Sequence, residues 1–138
     1  MRAVIDTNIF LAGLLNAEGG AAKIIRNFRD REFDLVVTSE VFDEYVRVLH
    51  LFDNAVPAPQ SEELLELVFE KAFKVRPAAA RGLCLDADDE KFISAAIAGQ
   101  ADLLVTKNIK HFPKDLPSIK IVAVKEFLRE IERLRKRR

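Results

Sequence analysis

The run Ala3-Val4-Ile5-Asp6 is a short apolar stretch, rich in β-branched side chains, stopped by a carboxylate. Such a run reads as a buried strand. From about Asn8 to Leu15 the apolar residues follow with helical spacing. Gly19-Gly20 interrupts them, and Ala21 to Phe28 resumes the helical pattern through Ile24, Ile25 and Phe28. The same alternation runs outward along the chain. Asp34-Leu35-Val36-Val37 is a second strand. Thr38-Ser39 offers a helix N-cap, and Val41, Tyr45, Val48, Leu49 and Phe52 repeat at helical spacing. Pro57 and Pro59 mark a loop, and Ser61 opens a helix through Leu64, Leu67, Val68 and Lys71. Phe73-Lys74-Val75 reads as a short strand before Pro77, followed by a loop over Ala78 to Leu85. A helix runs from about Asp88 to Gly99. Asp102 to Thr106 and Ile119 to Val122 are strands, with a loop bounded by Pro113 and Pro117 between them. Val124 to Arg137 is a C-terminal helix. Strands alternating with helices over the whole length give an α/β fold with a mainly parallel sheet, in one domain over residues 1–138.

Composition narrows the function classes. With 138 residues, 49% hydrophobic and 32% charged, the chain is large enough to bury a core and is neither disordered nor fibrous. The single Cys84 excludes an intramolecular disulfide framework and a cysteine-based zinc site. The longest apolar run, Ile9 to Leu15, is too short to span a bilayer. Asp6 interrupts the N-terminal apolar stretch, so no secretory signal is read and a cytoplasmic location is expected. The 22 basic and 22 acidic residues cancel, which argues against a whole-surface nucleic-acid binder. The balance is uneven, however. Residues 129–138 hold six basic and two acidic groups, leaving 16 basic and 20 acidic elsewhere.

In parallel sheets, sites form beyond the carboxyl ends of the strands. Asp6 stands directly after the first strand, with Asn8 two residues on. Asn108 follows Thr106 and Lys107 at the end of another strand. Glu44 lies near the edge of its helix's apolar stripe, whereas Asp43 points away. Asp89 falls one turn before Phe92, Ile93 and Ala96, on the same face, which favours it over Asp88. Each acid has an ordinary alternative: a helix cap for Asp6, a solvated helix residue for Glu44, a favourable helix start for Asp89. Together they are carboxylates on one rim of one sheet. Clustered like charges need a cation, and oxygen-only ligation selects a hard ion such as Mg²⁺ or Mn²⁺.

These same segments resemble the motifs of PIN-domain nucleases. Val4-Ile5-Asp6-Thr7-Asn8-Ile9-Phe10 looks like the first. Ser39 to Leu49, with Glu44 at the acidic position, resembles the second. Asp86 to Ala96, with Asp89 at the metal position, resembles the third. Ala101 to Asn108 resembles the fourth. Many relatives have Thr-Gly-Asp in the fourth motif where this chain has Thr106-Lys107-Asn108. The match is closest to VapC-like toxins of toxin–antitoxin systems. The resemblance implies a three-layer α/β/α sandwich and metal-dependent RNA cleavage leaving a 5′-phosphate and a 3′-hydroxyl. Asp6, Glu44 and Asp89 would hold Mg²⁺ or Mn²⁺, with Asn108 completing the catalytic set. Asn8, Ser39 and Thr106 would position water or orient ligands, although Ser39 serves equally as a helix cap. Lys107, Lys110 and His111 would contact RNA, or lie in a solvated loop. The basic tail reads first as a solvated helix end and second as an RNA contact. A homodimer and a cognate antitoxin partner are also implied. The rival reading is a catalytically weak PIN-fold module that binds RNA or a partner, and Asn108 is the feature that favours it. A phosphotransfer domain fits poorly, since Asp6-Thr7-Asn8 lacks a second acid.

Overall fold

The computed structural model describes residues 1–79 and 82–138, so part of the loop read over Ala78 to Leu85 lies outside the described residues. Five parallel strands form one sheet in the order β3-β2-β1-β4-β5. They are β1 (Arg2–Ile5), β2 (Asp34–Val37), β3 (Phe73–Lys74), β4 (Leu103–Val105) and β5 (Lys120–Val122). The three strands β1, β2 and β4 are apolar and almost wholly buried, as central parallel strands must be when both faces are covered. The register pairs Ala3 with Leu35 on one side and with Leu103 on the other.

Among the described residues, six helices flank this sheet: α1 (Thr7–Leu15), α2 (Gly20–Arg29), α3 (Ser39–Leu51), α4 (Ala58–Lys71), α5 (Glu90–Ala98) and α6 (Val124–Lys136). The expected α/β sandwich is the observed one. Helix α5 packs on β1, β2 and β4, while α2 packs on both α1 and α6. The α1–α2 contact is close because Gly13 has no side chain. A Cβ there would stand 2.6 Å from Ile25 Cδ1 and 2.9 Å from the Ala21 carbonyl oxygen.

Several boundaries differ from the sequence reading. Helix α4 starts at Ala58, not Ser61, with Pro57 at its N-cap and Pro59 inside its first turn. Proline suits that turn, whose N–H groups have no helical partner. The helix expected from Asp88 opens instead as a 3-10 turn, Ala87–Asp89, and α5 proper begins at Glu90. A second 3-10 turn, Ile109–His111, follows β4. Phe52, read as part of a core stripe, is 40% exposed because it lies past the end of α3. The Ala21–Phe28 segment is core, as its spacing suggests. The Leu64–Phe73 segment is mixed: Leu64 and Val68 are buried, but Phe69 and Phe73 are exposed. Phe69 lines an apolar recess of about 440 Å³ with Phe42, Val37 and Val75.

Candidate functional site

The order β2-β1-β4 places a topological switch point between β1 and β4, since the chain winds outward in opposite directions from them. Asp6 and Thr106 are the residues that leave those two strands. The Asp6 amide donates to the Val105 carbonyl at 2.9 Å, which continues the ladder by one residue. The Thr106 hydroxyl then donates to Asp6 Oδ2 at 2.8 Å. Both side chains are buried, Asp6 at 5% exposure. Asp6 occupies the N-cap position of α1, yet its side chain makes no capping hydrogen bond. The Asn8 amide lies near enough to favour the charged carboxylate without closing such a bond. Burial raises the Asp6 carboxyl above its ordinary value, the Thr106 bond lowers it, and the charges of Asp89 and Glu44 raise it further.

Glu44 arrives from the middle of α3. Tyr45 anchors that helix to the strand end: its hydroxyl donates to the Ile5 carbonyl at 2.5 Å, and its ring meets Phe10 edge-on at 5.1 Å. Burial, with Asp6 and Glu44 nearby, pushes the Tyr45 hydroxyl well above its ordinary range, so it remains a donor. One turn of α3 thus buries Tyr45 and leaves Glu44 at the site edge, with its side chain 13% exposed. Both Glu44 oxygens are engaged. The buried Thr7 hydroxyl donates to Oε2. The Lys91 ammonium stands 2.7 Å from Oε1, and the Arg47 guanidinium 3.7 Å from the same oxygen.

Asp89 ends the 3-10 turn before α5, with its side chain 18% exposed. The exposed Asp88 lies outside this arrangement. Desolvation raises the Asp89 carboxyl, the His111 hydrogen bond lowers it, and the charges of Asp86 and Glu44 raise it. His111 Nδ1 lies 3.3 Å from Asp89 Oδ2, so the tautomer protonated there donates to the carboxylate. Leu85 N–H donates to the His111 carbonyl at 3.0 Å, tying the two turns together. Cys84 borders this acidic wall. Burial first, then Asp89, Glu90 and Asp86, push its thiol up to about 11, where it is unreactive at neutral pH.

The remaining sequence candidates are placed less centrally. Asn8, Lys107, Asn108 and Lys110 are exposed. Asn108 touches the site through its backbone, whose N–H donates to Thr106 Oγ1 at 3.0 Å. Ser39 is exposed and is not the cap of α3. Thr38 is, accepting from the Val41 amide at 3.2 Å. In the basic tail, Arg133 pairs with Glu130, and Arg135 and Arg138 both reach Glu32. Thr7 and Lys91 were not singled out from sequence. Thr7 follows Asp6 directly and is the first residue of α1, a position that aims its hydroxyl across at α3. Lys91 carries no comparable signal, because its partner sits on a different helix.

The donor set suits a hard divalent cation: it is carboxylate and hydroxyl oxygen, and Asp6 is a buried acid on which the charges of Asp89 and Glu44 press. It is not a ready-made three-carboxylate cage. Among the described residues no three His, Cys, Asp or Glu side chains are gathered closely enough to hold one ion. Asp6 and Asp89 are the available pair, and Glu44 is already held by Thr7 and Lys91. Among the described residues, no helix is long and apolar enough to cross a membrane.

Residues 2–110 match a family model described as PIN domain. Among solved structures, the chain is similar to VapBC2 from Rickettsia felis bound to a DNA fragment from its promoter. Identity is 19% and the TM-score 0.56, over 89% of this chain and 98% of that one. It is also similar to VapBC-1 from nontypeable Haemophilus influenzae, at 19% identity and a TM-score of 0.59, over 91% and 99%. No curated protein matches it. At such identities the likeness to the solved structures is one of fold.

Proposed function

The chain belongs to the PIN-domain family, and from that premise we propose that it is a metal-dependent endoribonuclease, the toxin of a toxin–antitoxin pair. One observation carries the reading. Asp6, buried at the β1–β4 switch point, is raised by its burial and by the charges of Asp89 and Glu44. Acids that repel one another at a strand-end crevice cost folding energy, and a bound cation repays that cost. Mg²⁺ or Mn²⁺ fits the oxygen donors. Asp6 and Asp89 would hold it, and Glu44, the third carboxylate, would reach it through water. When bound, the ion supplies an activated water and charge stabilisation at the scissile phosphate.

The chain's own residues do the rest. Thr106 fixes one Asp6 oxygen and so orients the carboxylate toward a ligand. Tyr45 and Thr7 set the height and angle of Glu44. His111 orients Asp89. Asn108, Asn8 and Ser39 stand exposed near the strand ends, where they would position water, and Lys107 and Lys110 stand where RNA phosphates would pass. The toxin role and a cognate antitoxin rest on the motif resemblance to VapC-like proteins and on likeness to two VapBC structures. A cytoplasmic location, a single domain and a homodimer belong to the same reading. The alternative is a weakly catalytic PIN-fold module that binds RNA or a partner. It is favoured by Asn108, a neutral residue on the exposed rim.

RNA cleavage in Mn²⁺ or Mg²⁺, set against EDTA and the Asp6→Ala and Asp89→Ala variants, tests the activity. Wild type should cleave and both variants should lose about a thousandfold or more, because the ion contributes several kcal/mol to the transition state. RNA left equally intact by all three proteins would sink the nuclease reading. For the toxin role, induced wild type should arrest growth and Asp6→Ala should not. Normal growth with active enzyme removes the toxin assignment alone.

A further inference from the structure

Among the described residues, Glu44 is the only one of the three site acids whose charge is met by a lysine at hydrogen-bond distance. Lys91 Nζ lies 2.7 Å from Oε1, with the two side chains 20% and 13% exposed. Arg47 reaches the same oxygen at 3.7 Å but is 64% exposed, so its pairing is screened and weak. The Thr7 hydroxyl takes the other oxygen. Lys91 projects from the first turn of α5, two residues beyond Asp89, whereas Glu44 comes from α3. The contact therefore crosses between two helices, α5 and α3.

We propose that Lys91 is a built-in counter-ion that withholds Glu44 from the metal pair and so limits the site to one divalent ion. The inference rests on the metal-nuclease reading and refines it. Three carboxylates carry three negative charges. Lys91 cancels one at Glu44, and the remaining two on Asp6 and Asp89 match a single divalent cation. Asn108 brings no further charge. Removing the ammonium frees an oxygen of Glu44 and restores the third charge, so the site should hold its ion more tightly. Lys91 thus acts through Glu44, as a positioning residue.

The test is titration calorimetry of the full-length chain with Mn²⁺ and no RNA, together with the Mn²⁺-induced rise in Tm. Wild type should bind one ion per chain. Lys91→Met, neutral and similar in length, should bind Mn²⁺ about tenfold more tightly, within the usual range for coupling between two sites. Lys91→Arg keeps the charge and should stay near wild type. In a Glu44→Gln background the Lys91→Met gain should shrink to about twofold or less, because the partner it acts through is gone. A gain that persists in that background would mean general electrostatics and overturns the proposal. So does Mn²⁺ affinity unchanged in Lys91→Met, including the case where RNA KM alone rises and places Lys91 on the substrate. Wild type binding two ions overturns it as well. Failure of every variant and of wild type to bind Mn²⁺ overturns the metal reading itself, a result distinct from equal binding by all.

Discussion

Asp6 and Asp89 face the same crevice but are held in opposite ways. Asp6 continues a central strand. Its amide sits in the β1–β4 ladder, its side chain is buried, and its partner Thr106 leaves the neighbouring strand at the same level. Asp89 ends a one-turn 3-10 segment, and its partner His111 ends another. Those two turns are joined by the bond from Leu85 to the His111 carbonyl. One wall is therefore built on the backbone ladder of a central sheet. The other is fixed by short turns leaning on each other, and such segments open more easily than core strands. The crevice thus has one rigid and one adjustable wall.

The largest expected effect that would break this contrast comes from lengthening each acid by one methylene. Asp6→Glu should lose on the order of a hundredfold in cleavage rate, because the ladder gives no room for a carboxylate displaced by about 1 Å. Asp89→Glu should lose about tenfold less, since its turn can shift. Equal single-turnover rates for the two variants would make both walls equally stiff. Next come the partners. Thr106→Val should weaken Mn²⁺ binding by about 10–100-fold, the usual cost of removing a group that orients a ligand. His111→Ala, on the adjustable wall, should fall at or below the low end of that range in the same calorimetric titration.

Stability sharpens the contrast further. Burial and neighbouring acids raise Asp6 above its ordinary 3.8 in the folded chain. The folded state therefore holds the proton more strongly than the unfolded state. Stability is lost as pH rises from about 3.8 through the raised value. Asp6→Asn should accordingly raise Tm at pH 7 without divalent ions by a few degrees. The gain should vanish at pH below about 3.8. Asp89→Asn should gain less, because its side chain is less deeply buried than that of Asp6. A melting series from pH 3 to 8 reads both, and an Asp6→Asn chain no more stable than wild type at pH 7 would contradict the assigned shift. The smallest effect belongs to the tail. Arg133→Ala should leave the melting curve indistinguishable from wild type, since its pairing with Glu130 is solvent-exposed.

The strand-held wall was legible in the sequence because short β-branched runs that stop at a polar residue have few alternatives in a buried sheet. Ala3 to Asp6 and Asp102 to Thr106 show both the strands and the residues that leave them. The turn-held wall was legible only in outline. Helical spacing put Asp89 on the face of Phe92, Ile93 and Ala96, but could not show that the first turn is 3-10 or that His111 would close on it. Proline is ambiguous by nature: Pro57 and Pro59 suit a loop and a helix start equally well, and here they start α4. The Thr38–Ser39 pair left the cap undecided between two competent residues, and the hydroxyl of Thr38 took it. Lys91 was illegible for a different reason. Its meaning depends on α3 lying beside α5, and local periodicity does not carry that information.

The bond between Thr106 and Asp6 joins residues one hundred positions apart. During synthesis β1 emerges first and its partner β2 soon after, but β4 comes only when most of the chain has left the ribosome. Until then β1 has one open edge, and Asp6 lacks both the ladder bond to Val105 and the hydroxyl of Thr106. Closing so long a segment is slow compared with forming the local helices. The acids Glu44 and Asp89 are made earlier and wait for it. The crevice is therefore completed late, so a nascent or truncated chain ending before β4 carries all three acids without the arrangement that relates them.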